Sequence, residues 1–257
     1  MQTKNLQKLL LIISTITIFS IILYSNNCLK SSLNSPPPQA TSFSSNTVIS
    51  EDTDILKNIN LDPKIYSEYY IEKVTTYVNS YREQGKIVFL GDSLTDIGQW
   101  NELLDNPDIL NRGISSDTTS GALNRLSEIT KLKPRKIFIM LGINDIDKGL
   151  PIGKIIKNYS RILQNIKTDS PNTLIYVESV LPINKDIYKT KTKDNQITNL
   201  NVSLNDLCKN SNVQYINLYP LFTLPNQNKL YKEYTIGGLH VNGKGYKVWR
   251  DAIKSYL

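Results

Sequence analysis

The chain has 257 residues, of which 40% are apolar, and a formal net charge of +7. This length and apolar content suit one α/β domain with a large core and a short appendage. A single histidine and two widely spaced cysteines exclude a multi-histidine metal centre and a disulfide framework, and the scattered lysines, without interleaved aromatic residues, argue against nucleic-acid binding.

The first 30 residues are predicted to contact a membrane. Lys4 and Lys8 precede an uncharged apolar run over residues 9–24. The run is short for a spanning helix and lacks a good small-x-small cleavage pattern, so we favour an uncleaved anchor over a cleaved signal peptide. The preceding lysines predict a catalytic domain outside the cytoplasm, either anchored or secreted. Cys28 raises the alternative of a lipoprotein, but the Ser-Asn-Asn before it is unlike such processing sites.

Residues 31–50 are rich in Ser, Asn and Pro and carry no charge, which predicts a disordered linker. The catalytic domain is therefore expected to cover residues 51–257. The first part of this domain, before Gly85, is predicted to be helical and to pack on a sheet, because apolar residues recur there at roughly helical spacing. These residues are Ile55, Ile59, Ile65, Tyr69, Val74, Tyr77 and Val78.

Strands and helices then alternate to the C-terminus. The predicted strands are Ile87–Leu90, Ile109–Ile114, Lys136–Leu141, Leu174–Leu181 and Gln214–Leu218. The predicted helices are Thr95–Leu104, Thr119–Leu132, Ile152–Ile166, Ile197–Asn210 and Gly245–Tyr256. This alternation predicts a mostly parallel sheet of about five strands with helices on both faces, and a ligand site beyond the carboxyl ends of the strands.

Candidate catalytic residues lie in loops at that predicted edge. Ser93 follows the first strand, and its weakly nucleophilic hydroxyl needs an imidazole base, for which His240 is the only candidate. The backbone N–H groups of Ser93 and Gly113 and the side-chain amide of Asn144 could stabilise an oxyanion. This set predicts acyl transfer. The structural alternatives are that Ser93 only caps a helix and that His240 only packs in the core.

Four motifs resemble those of the GDSL esterases, also called SGNH hydrolases. They are Gly91-Asp92-Ser93-Leu94, Asn111-Arg112-Gly113-Ile114, Gly142-Ile143-Asn144-Asp145 and Leu239-His240-Val241-Asn242-Gly243. Three further segments are similar to the bacterial branch that resembles platelet-activating factor acetylhydrolase: Trp100–Leu103, Ser116–Thr119 and Val180–Pro182. The resemblance implies a three-layer α/β/α flavodoxin-like fold with no metal or cofactor. It also implies that Ser93 is the nucleophile, His240 the base, and Gly113 and Asn144 oxyanion donors.

One position departs from this family's pattern. The family usually has an aspartate three residues before the histidine, and here that position is Gly237. Such an aspartate orients the imidazole, and disabling it in other serine hydrolases costs about 10⁴-fold in rate. We favour a substituted chain whose parent carried the aspartate. The alternatives are a naturally weak Ser-His dyad or a different acceptor, either a backbone carbonyl or Glu233.

Charged residues near the motifs have simpler interpretations. Asp92 and Asp145 are expected to cap helices or hold loops, and Asp117 and Arg125 to be structural. Lysines of the loop over residues 185–195 could favour an anionic substrate, but a solvent-exposed loop is the preferred interpretation.

The sequence therefore predicts a serine esterase or lipase that acts on short acyl esters of a sugar or a lipid, with activity reduced by Gly237. One alternative is a binding module that holds an acylated glycan or lipid without turning it over. Another is an esterase that removes acetyl groups from polysaccharide or sialic acid. The sequence does not choose between sugar and lipid, because the pocket walls lie on loops.

Overall fold

The computed structural model describes residues 54–80, 83–193 and 195–257. The predicted anchor over residues 1–30, the linker over 31–50 and the domain start at residue 51 lie outside the described residues. Among the residues described, no helix is both long enough and apolar enough to cross a membrane.

Five parallel strands form the central sheet. They are β1 (Ile87–Gly91), β2 (Ile109–Gly113), β3 (Lys136–Met140), β4 (Leu174–Glu178) and β5 (Gln214–Ile216), in the spatial order β2-β1-β3-β4-β5. Every residue of β1 is buried, as expected for a central strand covered on both faces. The predicted α/β class and the sheet of about five parallel strands are confirmed.

Helices cover both faces of the sheet. They are α1 (Glu68–Asn79), α2 (Ser93–Ile97), α3 (Trp100–Leu103), α4 (Thr119–Asn124), α5 (Leu126–Thr130), α6 (Ile143–Asp147), α7 (Ile152–Asp169), α8 (Gln196–Asn210) and α9 (Gly243–Ile253). Alternate residues of β1 point to opposite layers. Val88 and Leu90 belong to the core cluster that includes α7 and α8, whereas Phe89 packs in the cluster that includes Trp249 of α9. The domain therefore has the predicted three layers.

Two predicted helices are each split into two. The helix predicted over residues 95–104 breaks into α2 and α3, because the Asn111 side chain of β2 binds the carbonyls of Thr95, Asp96 and Gly98. The helix predicted over 119–132 breaks into α4 and α5 at Arg125, whose buried guanidinium is held by other charged groups. In addition, α6 occupies a segment that was predicted as a turn.

The helical prediction before β1 is correct in part. Tyr70, Val74, Tyr77 and Val78 form the buried face of α1 and pack with residues near the start of the described region. Ile65 and Tyr69, which were expected to face the core, are 62% and 43% exposed. Turns over residues 63–66 interrupt the helical register, and α1 begins anew with Ser67 as its N-cap.

Candidate active site

The loop after β1 places Ser93 at the carboxyl edge of the sheet. Asp92 is the N-cap of α2, and its carboxylate accepts a hydrogen bond from the Leu94 N–H, so Ser93 occupies the first position of the helix. A Cβ atom at Gly91 would lie 2.8 Å from the Met140 carbonyl oxygen of the neighbouring strand. A side chain does not fit there, and glycine is what lets this turn pass so close to β3.

The structure brings His240 to Ser93. The His240 Nε2 atom lies 2.9 Å from Ser93 Oγ, within hydrogen-bond distance. The segment that carries His240 is fixed by Thr235, whose hydroxyl donates to the His240 carbonyl and accepts from the Gly238 N–H. The Tyr246 hydroxyl of α9 donates to the Leu94 carbonyl at 2.7 Å, which ties this end of the chain to α2. The two side chains therefore lie close enough for a proton to pass between them.

The environment of His240 favours its neutral form. Partial burial lowers the pKa of the imidazole below its usual value of 6.5, because desolvation disfavours the charged ring. At neutral pH the ring is consequently unprotonated and able to accept the Ser93 proton. Among the described residues, Ser93 is the only hydrogen-bond partner of the His240 ring, so nothing there orients the Nδ1 side.

The position of the absent carboxylate is open. Gly237 is exposed, and a Cβ atom there would meet no other atom within 4 Å. Its φ lies outside the left-handed region, so a larger residue could adopt the same backbone. Glu233, one of the alternative acceptors, is directed elsewhere: its carboxylate lies 3.4 Å from the Lys244 ammonium, and no hydrogen bond joins it to His240.

Asn144 lies at the same edge of the sheet as Ser93, on α6 after the adjacent strand β3. It is partly buried, and its Nδ2 donates one hydrogen bond to the Asp117 carbonyl at 2.9 Å. An amide group carries two N–H bonds, so the second remains available to a ligand. Asn144 therefore lies at the predicted edge of the sheet, and its role as an oxyanion donor stays a prediction.

The Gly113 N–H is engaged by a side chain of its own motif. Its N–H donates to Asn111 Oδ1 at 2.8 Å and is not available to an oxyanion in this structure. A Cβ atom on Gly113 would lie 2.2 Å from the Asp96 nitrogen of α2. The glycine therefore permits close packing of α2 on β2. No sequence pattern shows this engagement, because it depends on the rotamer of the Asn111 side chain.

Ser116, in the loop after β2, has an unusual backbone conformation that the sequence analysis did not predict. It is exposed and adopts a φ of +66°, a conformation that costs free energy in a residue other than glycine. No hydrogen bond among the described residues uses its N–H group. Only the three-dimensional structure reveals this conformation, since a serine in a loop gives no signal of it.

Buried charges hold the loop that contains Ser116. The guanidinium of Arg125 is fully buried between Asp117, at 2.9 Å, and Glu128, at 3.3 Å, and it donates to the Arg112 carbonyl. Asp145 accepts from the N–H and the hydroxyl of Thr119. These contacts agree with the structural roles predicted for Asp117, Arg125 and Asp145, and Asp92 acts as the helix cap that was expected.

The loop that carries four lysines lies at the surface. Lys185, Lys189, Lys191 and Lys193 are all exposed, in agreement with the preferred interpretation, although Lys185 and Lys193 also line a cavity of about 560 Å³. Within the described part of the chain, no group of three or more His, Cys, Asp or Glu residues is arranged to hold a metal ion.

Comparisons with known proteins agree with this architecture. A model of the GDSL-like lipase/acylhydrolase family matches residues 89–248. No curated protein sequence gives a significant match. A solved structure from Streptococcus pneumonia, described as a platelet activating factor, is 26% identical with a TM-score of 0.66, covering 81% of this chain and 97% of that one.

Two further solved structures share the fold. A GDSL-like lipase from Bacteroides thetaiotaomicron is 21% identical with a TM-score of 0.65, and the match covers 73% of this chain and 96% of that chain. A lipase/acylhydrolase from Enterococcus faecalis is also 21% identical, with a TM-score of 0.58 and coverage of 67% and 95%.

Proposed function

Because the chain belongs to the GDSL-like lipase/acylhydrolase family, we propose that it is a serine esterase in which Ser93 and His240 hydrolyse short acyl esters. The observation that carries the proposal is the 2.9 Å separation of Ser93 Oγ and His240 Nε2. Family membership supports carboxylic ester hydrolysis in general, and the contact between these two side chains supplies the nucleophile and the base.

The geometry fits a two-step acyl transfer. His240 Nε2 takes the hydroxyl proton as Ser93 Oγ attacks the ester carbonyl, and the protonated ring then gives that proton to the departing alcohol. The tetrahedral intermediate carries negative charge on the former carbonyl oxygen. The Ser93 N–H and the second N–H of Asn144 are the proposed donors to that oxygen, and the Ser116 N–H is a further candidate. A water molecule then attacks the acyl-serine, activated by the same imidazole.

Gly237 is expected to reduce the rate of both steps. His240 becomes an imidazolium each time it takes a proton, and no carboxylate on the described residues stabilises that charge. Loss of the orienting carboxylate in other serine hydrolases costs about 10⁴-fold in rate, although the oxyanion donors leave part of the catalysis intact. The proposed enzyme is therefore slow rather than inert.

The proposed substrate is a short acyl ester, of acetyl type, on a sugar or a lipid. We place the enzyme outside the cytoplasm, held at the membrane by the N-terminal segment or secreted. The support for this placement is the uncharged apolar run over residues 9–24 and the two lysines before it. Carbohydrate and lipid esters at the cell surface would both be within its reach.

The proposed role of Ser93 is tested with a fluorophosphonate probe and mass spectrometry. We expect the probe to modify Ser93, slowly because the base is poorly oriented, and hydrolysis of a short nitrophenyl ester to disappear in Ser93→Ala. Ser120→Ala is the matched control, since Ser120 is exposed and lies on α4. Absence of both labelling and hydrolysis in the unaltered chain would overturn the proposal.

The second candidate function is an acyl-ligand binding module, and the observation that favours it is Gly237. In that case the region around Ser93 and His240 would bind an acylated glycan or lipid without hydrolysing it, and the probe would leave Ser93 unmodified. Calorimetry with an acetylated oligosaccharide would then give the same affinity for Ser93→Ala and for the unaltered chain, and no acetic acid would be released.

A further inference from the structure

His240 lines a cavity of about 310 Å³. Its walls include Tyr188, Ile236, Gly237, Leu239 and Asn242, and His240 is the one residue among its walls with a side chain that can carry charge near neutral pH. Apart from Gly237 itself and its two chain neighbours, no residue has an atom within 4 Å of the point where a Gly237 side chain would begin. The cavity therefore has room for a group of several non-hydrogen atoms beside the imidazole.

In the proposed reaction, an anion beside the His240 ring would stabilise the positive charge that the ring acquires. When Nε2 holds the proton taken from Ser93, the ring is an imidazolium and Nδ1 also carries a proton. Among the described residues, no acceptor binds that second N–H. Partial desolvation lowers the pKa of the ring and so disfavours its charged form, which an anion beside Nδ1 would stabilise.

We propose that this cavity binds a carboxylate that does not belong to the chain and that accepts a hydrogen bond from His240 Nδ1–H. The inference rests on the proposed Ser93 and His240 esterase and names a ligand class for it. The carboxylate is supplied either by a small free ion or by the substrate itself, as in an acylated sugar acid. It remains ionised throughout: the proton moves from Ser93 Oγ to Nε2 and then to the alcohol.

The first arm of the test adds a free carboxylate. Hydrolysis of a neutral nitrophenyl ester is measured with sodium formate and with sodium chloride at equal ionic strength. If the missing carboxylate lowers kcat/KM by about 10⁴-fold, a bound formate that restores only about a thousandth of the full value still raises kcat/KM by about tenfold. We expect that rise in the unaltered chain and in Gly153→Asp, which places an aspartate at an exposed glycine of α7 outside the cavity walls. Gly237→Asp, which carries its own carboxylate, should not respond.

The second arm places the carboxylate on the substrate. An acetylated sugar acid is compared with the same acetylated sugar in which the carboxylate is reduced to an alcohol. If the substrate supplies the group, the unaltered chain prefers the sugar acid by about tenfold or more, formate adds nothing to that rate, and the preference is lost in Gly237→Asp. A response to formate without this preference assigns the cavity to a free carboxylate.

A third measurement does not depend on turnover. His240 is the only histidine of the chain, so its ring protons give a single titration in a proton NMR spectrum. A carboxylate beside the ring raises its pKa, by about 1 or more. We expect formate to produce this rise in the unaltered chain but not in Gly237→Asp.

The outcomes separate the two proposals. If no ester is hydrolysed and Ser93 is not labelled, the proposed function fails, and the titration alone then decides whether the cavity takes a carboxylate. If esters are hydrolysed but formate changes neither the rate nor the titration, and the sugar acid is not preferred, the carboxylate site is overturned while the esterase stands.

Discussion

Ser93 and His240 meet although 147 positions separate them in the chain. Each is held by backbone contacts of its own segment: Asp92 caps the helix that begins at Ser93, and Thr235 fixes the carbonyl of His240. Both segments are thus fixed without a bound substrate. For the proposed reaction, this reduces the entropic cost of bringing Ser93 and His240 into the reactive geometry.

At this scale the Gly237→Asp substitution is the most informative change. It should raise kcat/KM on a neutral nitrophenyl ester by at least about tenfold, because the open space admits a carboxylate that can orient His240. Gly153→Asp, which adds the same charge on the exposed face of α7, should change the rate by less than about twofold. An equal effect of the two substitutions would show that charge alone, rather than its position, matters.

In the proposed mechanism, the pKa of His240 sets the lower pH limit of activity. Only the neutral ring can accept the Ser93 proton, so activity falls as the pH drops through the His240 pKa. Because burial lowers that pKa from its usual value of 6.5, activity should persist below pH 6.5. In Gly237→Asp the added carboxylate should move the acid limb of the kcat/KM profile to higher pH. An acid limb above pH 7 in the unaltered chain would contradict this expectation.

At the scale of elements, β2 supports the nucleophile through one side chain. Asn111 Nδ2 donates to the carbonyls of Thr95, Asp96 and Gly98, at 2.9, 3.1 and 3.0 Å, and so ends α2 shortly after Ser93. The same residue's Oδ1 accepts from the Gly113 N–H. The glycine and the asparagine of this motif together hold α2 against the sheet edge.

Asn111→Ala should therefore affect both stability and rate. Loss of these hydrogen bonds should lower the free energy of unfolding by about 1–3 kcal/mol, measured by urea denaturation. Displacement of α2 should also lower kcat/KM by about tenfold or more, since Ser93 is its first residue. Asn79→Ala is the control, because Asn79 is exposed and makes one local bond. Equal stability of the two variants would refute the role given to Asn111.

The sequence predicts the elements that local patterns determine, and it does not predict those that depend on contacts between residues distant in the chain. The buried strands are visible as apolar runs, because both faces of β1 and β3 are covered. The breaks at Gly98 and Arg125 are not visible, since they follow from bonds to Asn111 and to Asp117, which the fold brings near. For the same reason the sequence assigned Gly113 to the oxyanion, whereas the structure shows its N–H already bound. Ser93, His240 and Asn144, by contrast, lie at the predicted edge.

For the whole molecule, a buried acid at the end of β4 links stability to pH. Glu178 is 1% exposed and its Oε1 accepts from the Trp249 indole of α9 at 2.8 Å. Desolvation raises the Glu178 pKa from 4.5 to about 8, and it likewise raises the Asp92 pKa to about 7. At a pH between the ordinary pKa of each carboxyl group in the unfolded chain and its raised pKa in the folded chain, the folded protein keeps a proton that the unfolded chain has released.

Stability should consequently fall as the pH rises from about 4.5 to about 8. Glu178→Gln keeps the acceptor for Trp249 but cannot ionise, so it removes the part of this fall that comes from Glu178. We expect the variant to gain a few kcal/mol, at most about 5, relative to the unaltered chain between pH 5 and pH 8.5, by urea denaturation at both values. A constant difference at the two pH values would show that Glu178 does not ionise in this range.

The contact between α9 and the first strand region has a consequence for the order in which the protein becomes active. Trp249 is fully buried against Trp100, and the Tyr246 hydroxyl binds the Leu94 carbonyl, so the last helix completes the core around β1. His240 precedes that helix directly. During synthesis Ser93 therefore emerges from the ribosome long before His240, and in the proposed mechanism the serine has no base until α9 has formed and docked.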